Sequence, residues 1–285
     1  MIENLLRKAN NLVQVIKRLS HSKLGLIGMI IISVWVIVAL LGPIIAPYSP
    51  TAYHPQDRFE GPSFKYPFGT DRYGRDMFSR VIMGSRSVLL LASSATLIAL
   101  ILGSSIGLIT GYLGGIVDEV VMRFMDILMS FPALLFAMLI LGIFGPSTFG
   151  VITVIALVYA PRIARVARSA VLEVKEKEFI EAAKVRGESN LYIMFVELLP
   201  NIWGPLGVEA SVRFGYAIFL SASLGFLGLG VQPPTPDWGL LMKEAQSYMS
   251  WAPWMSIFPA LAIASLVVAV NFLADAIRKY EAGEL

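Results

Sequence analysis

The chain has 285 residues, of which 56% are hydrophobic and 15% charged, with a mean hydropathy of +0.70. Soluble domains carry about 25% charged residues and about 45–50% apolar residues even with glycine counted, so the composition excludes an ordinary soluble protein and points to a bilayer. The formal charge of +3 calls for no nucleic-acid partner. With no cysteine and only His21 and His54, disulfides, thiol nucleophiles and thiolate metal sites are excluded, and histidine chemistry nearly so.

In chain order, residues 1–23 form a basic N-terminal segment. Leu5, Ala9, Leu12, Val13, Ile16 and Leu19 fall on one side of a helix, and Arg7, Lys8, Gln14, Lys17 and Arg18 largely on the other. That pattern suits a helix lying on an anionic membrane surface; the plain alternative is a frayed cytosolic tail. The apolar run that follows is too long for a signal peptide, and Ile44-Ile45-Ala46-Pro47 lacks the small-x-small cleavage pattern. The run is therefore read as an uncleaved first span.

Charge-free windows cover residues 24–56, 87–117, 127–161, 214–236 and 245–274. Each exceeds the roughly 20 residues that cross the hydrocarbon layer. Gly142, Gly145 and Pro146 break the third window into two spans. The fold class is thus all-α, a polytopic membrane protein with six transmembrane helices at about 24–46, 87–112, 119–142, 149–168, 203–229 and 255–276.

The loop at 47–86 has prolines at 47, 50, 55, 62 and 67 and reads as an ordered external lobe, largely non-helical in its first part. In span 2, Gly103, Gly107 and Gly111 form a stripe that lets another helix approach closely, where van der Waals contact replaces the missing hydrophobic drive. Pro132 predicts a kink in span 3, either a hinge or a static bend. With the N-terminus and the 277–285 tail in the cytoplasm, 15 of 23 Lys and Arg lie inside, seven outside, and Arg213 within a span. The positive-inside bias holds, although six of the seven external cations crowd the first loop.

Several catalytic motifs fail on context. Gly103-Ser104-Ser105-Ile106-Gly107 matches G-x-S-x-G, but that elbow needs a strand-to-helix turn with a base nearby, and here it lies in an apolar helix. There is no phosphate-cradling G-x-x-x-x-G-K-[ST] and no H-E-x-x-H. Energy from a nucleotide must come from another chain.

The longest cytoplasmic loop, at about 170–200, is more informative. It reads Glu181-Ala182-Ala183-Lys184-Val185-Arg186-Gly187, then nine residues, then Glu197-Leu198-Leu199-Pro200. Small alanines permit close docking, Gly187 suits a left-handed turn after a short helix, and Pro200 punctuates entry into the next span. Spacing alone also allows a plain surface helix-turn-helix. The combination resembles the EAA-x3-G-x9-I-x-LP signature of ABC importer permeases, with Glu197 where the motif usually has an apolar residue.

Residues 68–80, with Gly69, Thr70, Asp71, Gly74, Arg75 and Asp76, resemble the GTDxxGRDxxSR segment of C-type permeases of the oligopeptide, dipeptide and nickel class. Residues 224–239, LGFLGLGVQPPTPDWG, resemble a second run of that family. The resemblance covers about residues 24–278. It implies a five-span type I importer core, at 87–276, preceded by one extra span, in agreement with the count above. It also implies a bacterial or archaeal cytoplasmic membrane, a second B-type permease, two ATPase subunits that carry the ATP and magnesium, and an extracytoplasmic substrate-binding protein. The chain itself would hold no cofactor or metal and do no catalysis. Di- or oligopeptides are the leading cargo, with nickel complexes, glutathione or oligosaccharides as alternatives.

The cluster Asp71, Arg72, Arg75 and Asp76 is expected to form local ion pairs that hold a turn, each worth little at an exposed surface. Glu209 and Arg213 lie four apart in span 5. Each would cost about 2.5–3.5 kcal/mol alone at a helix centre, so they should pair or face water: either they line the translocation path, or they are a structural ion pair. Asp126, near the inner end of span 3 beside Arg123, is expected to form an interface pair, the alternative being a proton relay. A self-sufficient channel or secondary carrier is the reading from another class. It would need coupling groups within its own spans, where Asp126, Glu209 and Arg213 are the only candidates, and would leave the loop at 181–200 without a purpose.

Overall fold

The computed structural model describes residues 22–284, so the amphipathic N-terminal segment falls almost wholly outside the described residues. Among these, the chain is helical with no strand. Helix α1 spans Lys23–Ile45, α2 Met77–Leu113, α3 Gly115–Ser130, α4 Ala133–Phe144 and α5 Thr148–Val174. Helix α6 covers Glu178–Val185, α7 Asn190–Asn201, α8 Trp203–Phe226, α9 Trp238–Ala245 and α10 Trp254–Glu281. Helices α1, α2, α5 and α10 are each long and apolar enough to cross a membrane; counting the bent pairs α3/α4 and α7/α8 as one span each gives six.

The first bend, 89° between α3 and α4, sits at Pro132. Proline has no N–H to continue the ladder and forces Phe131 into an extended conformation, at φ −80° and ψ 134°. What the sequence predicted as a kinked single helix is therefore two helices meeting nearly at a right angle. The second bend, 67°, precedes α8.

Helix α2 starts at residue 77, ten residues before the predicted span. Asp76 caps it, its carboxylate accepting from the Ser79 amide at 2.8 Å and from the Ser79 hydroxyl at 2.6 Å. Hydropathy hid this first stretch because Arg80 and Arg86 interrupt it. Arg80 is nevertheless 2% exposed, neutralised by acids that its own neighbourhood in the sequence does not supply in full.

Helices α2 and α5 form the main seam of the bundle. A Cβ at Gly103 would lie 2.6 Å from the Ala160 carbonyl oxygen, one at Gly107 would overlap that of Ala164, and one at Gly111 would lie 2.9 Å from the Val171 side chain. The glycine stripe thus lets the α2 backbone touch α5 directly. On the other side, α1 rests on α10 through Gly28, where a Cβ would meet the Ala269 carbonyl at 2.6 Å. The Trp35 indole N–H donates to Ser265 Oγ at 2.9 Å.

Candidate functional site

Two charged, glycine-punctuated regions stand at opposite ends of the bundle. The first is an elbow formed by α6 and α7. Helix α6 ends in a Schellman turn: the Glu188 amide donates to the Ala183 carbonyl at 3.2 Å and the Gly187 amide to that of Lys184 at 3.0 Å. The turn needs Gly187 at φ +78°. Ile180 and Ala183 are fully buried, so Ala183 faces the chain's own core and not an outer docking surface. Glu181, Ala182 and Val185 point outward, with Val185 88% exposed. Beyond the turn, Leu191, Phe195 and Val196 are exposed as well. An apolar patch rimmed by charges is the usual mark of a protein partner.

The elbow is tied down at a few points. Glu197, the departure from the motif, receives Arg186 across the turn at 3.4 Å. Tyr112, near the end of α2, donates to Asn190 at 2.9 Å, and the Lys175 ammonium reaches the Gly111 carbonyl at 3.1 Å. Pro200 stands exposed beside the bend that leads into α8. Nothing in the sequence signalled the Tyr112 and Lys175 ties, since each joins residues more than 60 positions apart.

The second region is a clamp built from the 69–80 segment. The expectation of exposed, weak ion pairs there is corrected: Asp71 and Asp76 are 0% exposed and Arg75 6%. One Asp71 oxygen accepts from the amides of Tyr73 at 2.8 Å and Arg75 at 3.0 Å; the other takes Arg75 Nε and an Arg80 guanidinium nitrogen, both at 2.6 Å. Glu244, from α9, receives Arg75 at 3.0 Å and Arg80 at 2.8 Å. Two carboxylates and two guanidiniums thus neutralise one another between the start of α2 and α9. Such a network is costly to break, because removing one member leaves an unpaired buried charge. Glu244 went unnoticed in the sequence, although the surplus of arginines over acids in residues 69–80 called for a distant carboxylate.

Backbone geometry locks the clamp in place. Gly69, at φ +71°, leaves its would-be Cβ 2.6 Å from the Glu60 carbonyl and 2.7 Å from the Trp254 ring. At Gly74, φ +74°, a Cβ would overlap the His54 carbonyl. The Thr70 hydroxyl donates to the Asp57 carbonyl at 2.5 Å, and Trp254 donates to that of Thr70 at 3.1 Å. Asp57 also receives Lys65 and Tyr66, each at 2.7 Å, which holds its carboxyl below the usual range. Arg72 lies over the Tyr73 ring at 4.5 Å.

Nearby, Asp237 caps α9 by accepting from the amides of Gly239 at 3.0 Å and Leu240 at 3.2 Å. Among the described residues it has no cation beside it, and burial pushes its pKa up to about 6.

Within α8, Glu209 and Arg213 meet at 2.6 Å and both are largely buried. The guanidinium lies 5.1 Å from the ring of exposed Tyr216 and 5.8 Å from that of buried Tyr159. Asp126 pairs across the helix interface with Arg165 on α5, while Arg123 takes Glu119 one turn away on α3.

Comparisons with known proteins bear on the family to which the chain belongs. Residues 103–280 fit the family model described as the binding-protein-dependent transport system inner membrane component, and residues 11–62 fit the N-terminal transmembrane domain of oligopeptide transport permease C. The chain is 39% identical over 265 residues to the dipeptide transport system permease protein DppC of Alkalihalophilus pseudofirmus, covering 93% of this chain and 87% of that one. It is 38% identical to the glutathione transport system permease protein GsiD of Pectobacterium atrosepticum, covering 85% and 80%. An inward-facing structure of the MetNI methionine ABC transporter shares the fold, with a TM-score of 0.58 at 20% identity, covering 72% of this chain and 97% of that one. The bundle, its elbow and these matches together place the chain in the binding-protein-dependent transport inner-membrane component family, as a multi-pass permease subunit of an ABC importer.

Proposed function

We propose that this subunit carries di- or oligopeptides, pairs with a B-type permease to enclose the path, receives cargo from an extracytoplasmic binding protein, and rests on two ATPase subunits. The observation that carries the reading is the elbow. A short helix held by one glycine turn and a few long-range ties presents exposed apolar side chains rimmed by charges, a surface suited to a partner protein. The peptide assignment draws on relatives named for dipeptide transport.

In this arrangement ATP and magnesium bind the ATPases, and the present chain performs no covalent chemistry. Closure of the ATPases pushes on Glu181, Ala182 and Val185, and the stiff α6–α7 elbow passes the displacement to α8 through the bend at residue 202. The elbow end, with both termini, faces the cytoplasm, and the clamp faces the binding protein. Glu209 and Arg213 line the path together with Tyr216, where a neutral pair beside an aromatic ring offers weak contacts to the charged ends of a passing peptide.

Affinity purification from gently solubilised membranes, with mass spectrometry of the bound chains, tests the assembly; a second permease and P-loop ATPases are the expected result. Uptake in vesicles loaded with ATP then tests cargo, with dipeptides preferred over glutathione and nickel. Recovery of this chain alone, transporting without ATP, would sink the proposal. Unchanged uptake and peptide preference in a correctly assembled Glu209→Gln, Arg213→Ala complex would remove those two residues from the path.

A further inference from the structure

The external half of the bundle has a surplus of positive charge, and the structure accounts for most of it. Lys65 pairs with Asp57, Arg75 and Arg80 belong to the clamp, and Arg72 lies over Tyr73. Arg86 is exposed and, like Arg58 and Lys243, makes no ion pair or hydrogen bond among the described residues, but it alone of the three lines a groove between α1 and α2. Its depth is set by its neighbour: the Ser87 hydroxyl donates to the Pro236 carbonyl at 2.9 Å, in the loop that joins α8 to α9. That irregular loop belongs at the membrane surface, because lipid-exposed backbone outside helices does not survive in hydrocarbon. Arg86 therefore stands at headgroup level.

Directly below it runs a groove of about 420 Å³ between α1 and α2, lined by nine residues of which Arg86 is the one with a charge. Val36 and Leu40 form one wall and Leu90 the other, all exposed, and Phe214 of α8 also lines it. On α2 the lining runs from Arg86 to Ser93, about 10 Å of helix at 1.5 Å per residue. An apolar trench that starts at an unpaired cation in the headgroup layer and descends toward the bilayer centre matches an acyl chain hanging from an anionic phosphate.

We propose that this groove is a binding site for an anionic glycerophospholipid of the outer leaflet, with its phosphate on Arg86 and one acyl chain between α1 and α2. The site rests on the orientation proposed above, with the clamp end outside, and not on which cargo the chain carries. It also gives the extra N-terminal span a purpose, because α1 touches α2 and α10 and a lipid filling the remaining gap completes its seat.

The test uses the full chain in its native membrane, exposed to phosphatidylglycerol with a photoreactive acyl chain, followed by mapping of the labelled peptides. Labelling is expected at residues 32–40 and 86–93, displaced by unlabelled phosphatidylglycerol and not by phosphatidylcholine. Arg86→Gln should lower it about fivefold, the factor that roughly 1 kcal/mol per cation at an anionic surface supplies, while Arg86→Lys retains it. The displacement arm uses the unaltered protein and stands even where a variant assembles poorly. Since the chain has no cysteine, a single Leu90→Cys reports the other occupant: its cross-linking to a second protein chain overturns the proposal. Equal labelling by both lipids, or labelling that ignores Arg86→Gln, overturns it as well.

Discussion

The clamp and the elbow are built from the same vocabulary of acids, arginines and positive-φ glycines, yet they are used in opposite ways. In the clamp, Asp71, Arg75, Arg80 and Glu244 face one another in a buried network, so the charges are consumed internally. In the elbow, Arg186 and Glu197 meet at 3.4 Å across a largely exposed turn, and Glu181, Ala182 and Val185 are exposed among the described residues. A saturated network fixes geometry; an unsaturated surface waits for a partner.

The largest expected effect comes from breaking the clamp. Glu244→Ala leaves Arg75 and Arg80 short of an acid and should cost about 3–5 kcal/mol, read as loss of folded protein and a lower melting temperature in detergent. Next is the seam that joins the two ends. Gly107→Val sets side-chain atoms against the Ala164 carbonyl, and overpacking of this kind costs about 1–3 kcal/mol or more, visible as lower thermal stability with a shifted α2–α5 cross-linking pattern.

In the elbow, a Cβ at Gly187 meets nothing within 4 Å, so Gly187→Ala is strained by backbone conformation alone, about 1–2 kcal/mol. Assembly should survive and ATP-driven uptake should fall relative to ATP hydrolysis. If both rates stay normal, the elbow does not couple them.

The smallest effect is a pH slope. Asp237 binds its proton more tightly when folded, at about 6, than its ordinary value of 3.8. The folded state therefore holds the extra proton between these values, and the associated stability is present below about pH 4 and lost as pH rises through 6. Asp237→Asn keeps a cap acceptor for α9 and should flatten this part of the profile, measured as melting temperature from pH 4 to 8. An unchanged slope would assign it to other groups.

Much of the fold was legible in the sequence because a bilayer imposes a simple rule. Apolar runs of sufficient length become spans, and Gly103, Gly107 and Gly111 at every fourth position announce a close helix contact. The failures have one physical origin. Arg80 looked like loop because a charge on a helix is tolerable only when its partners are known, and one of its two acids, Glu244, lies 164 positions away. Pro132 signalled a bend, but its 89° depends on how α3 and α4 each pack against α5.

The sequence by itself determined that this chain is a helical membrane protein, where its helices break, and, through the 181–200 and 68–80 motifs, which family it resembles. Tertiary structure decided which charges are spent and which are free. That division could not be read from spacing, because whether an arginine is paired depends on the acids that distant helices bring beside it. Arg75 and Arg80 are silenced by Asp71 and Glu244, while Arg86, only six residues further along the same helix, faces outward with no acid among the described residues.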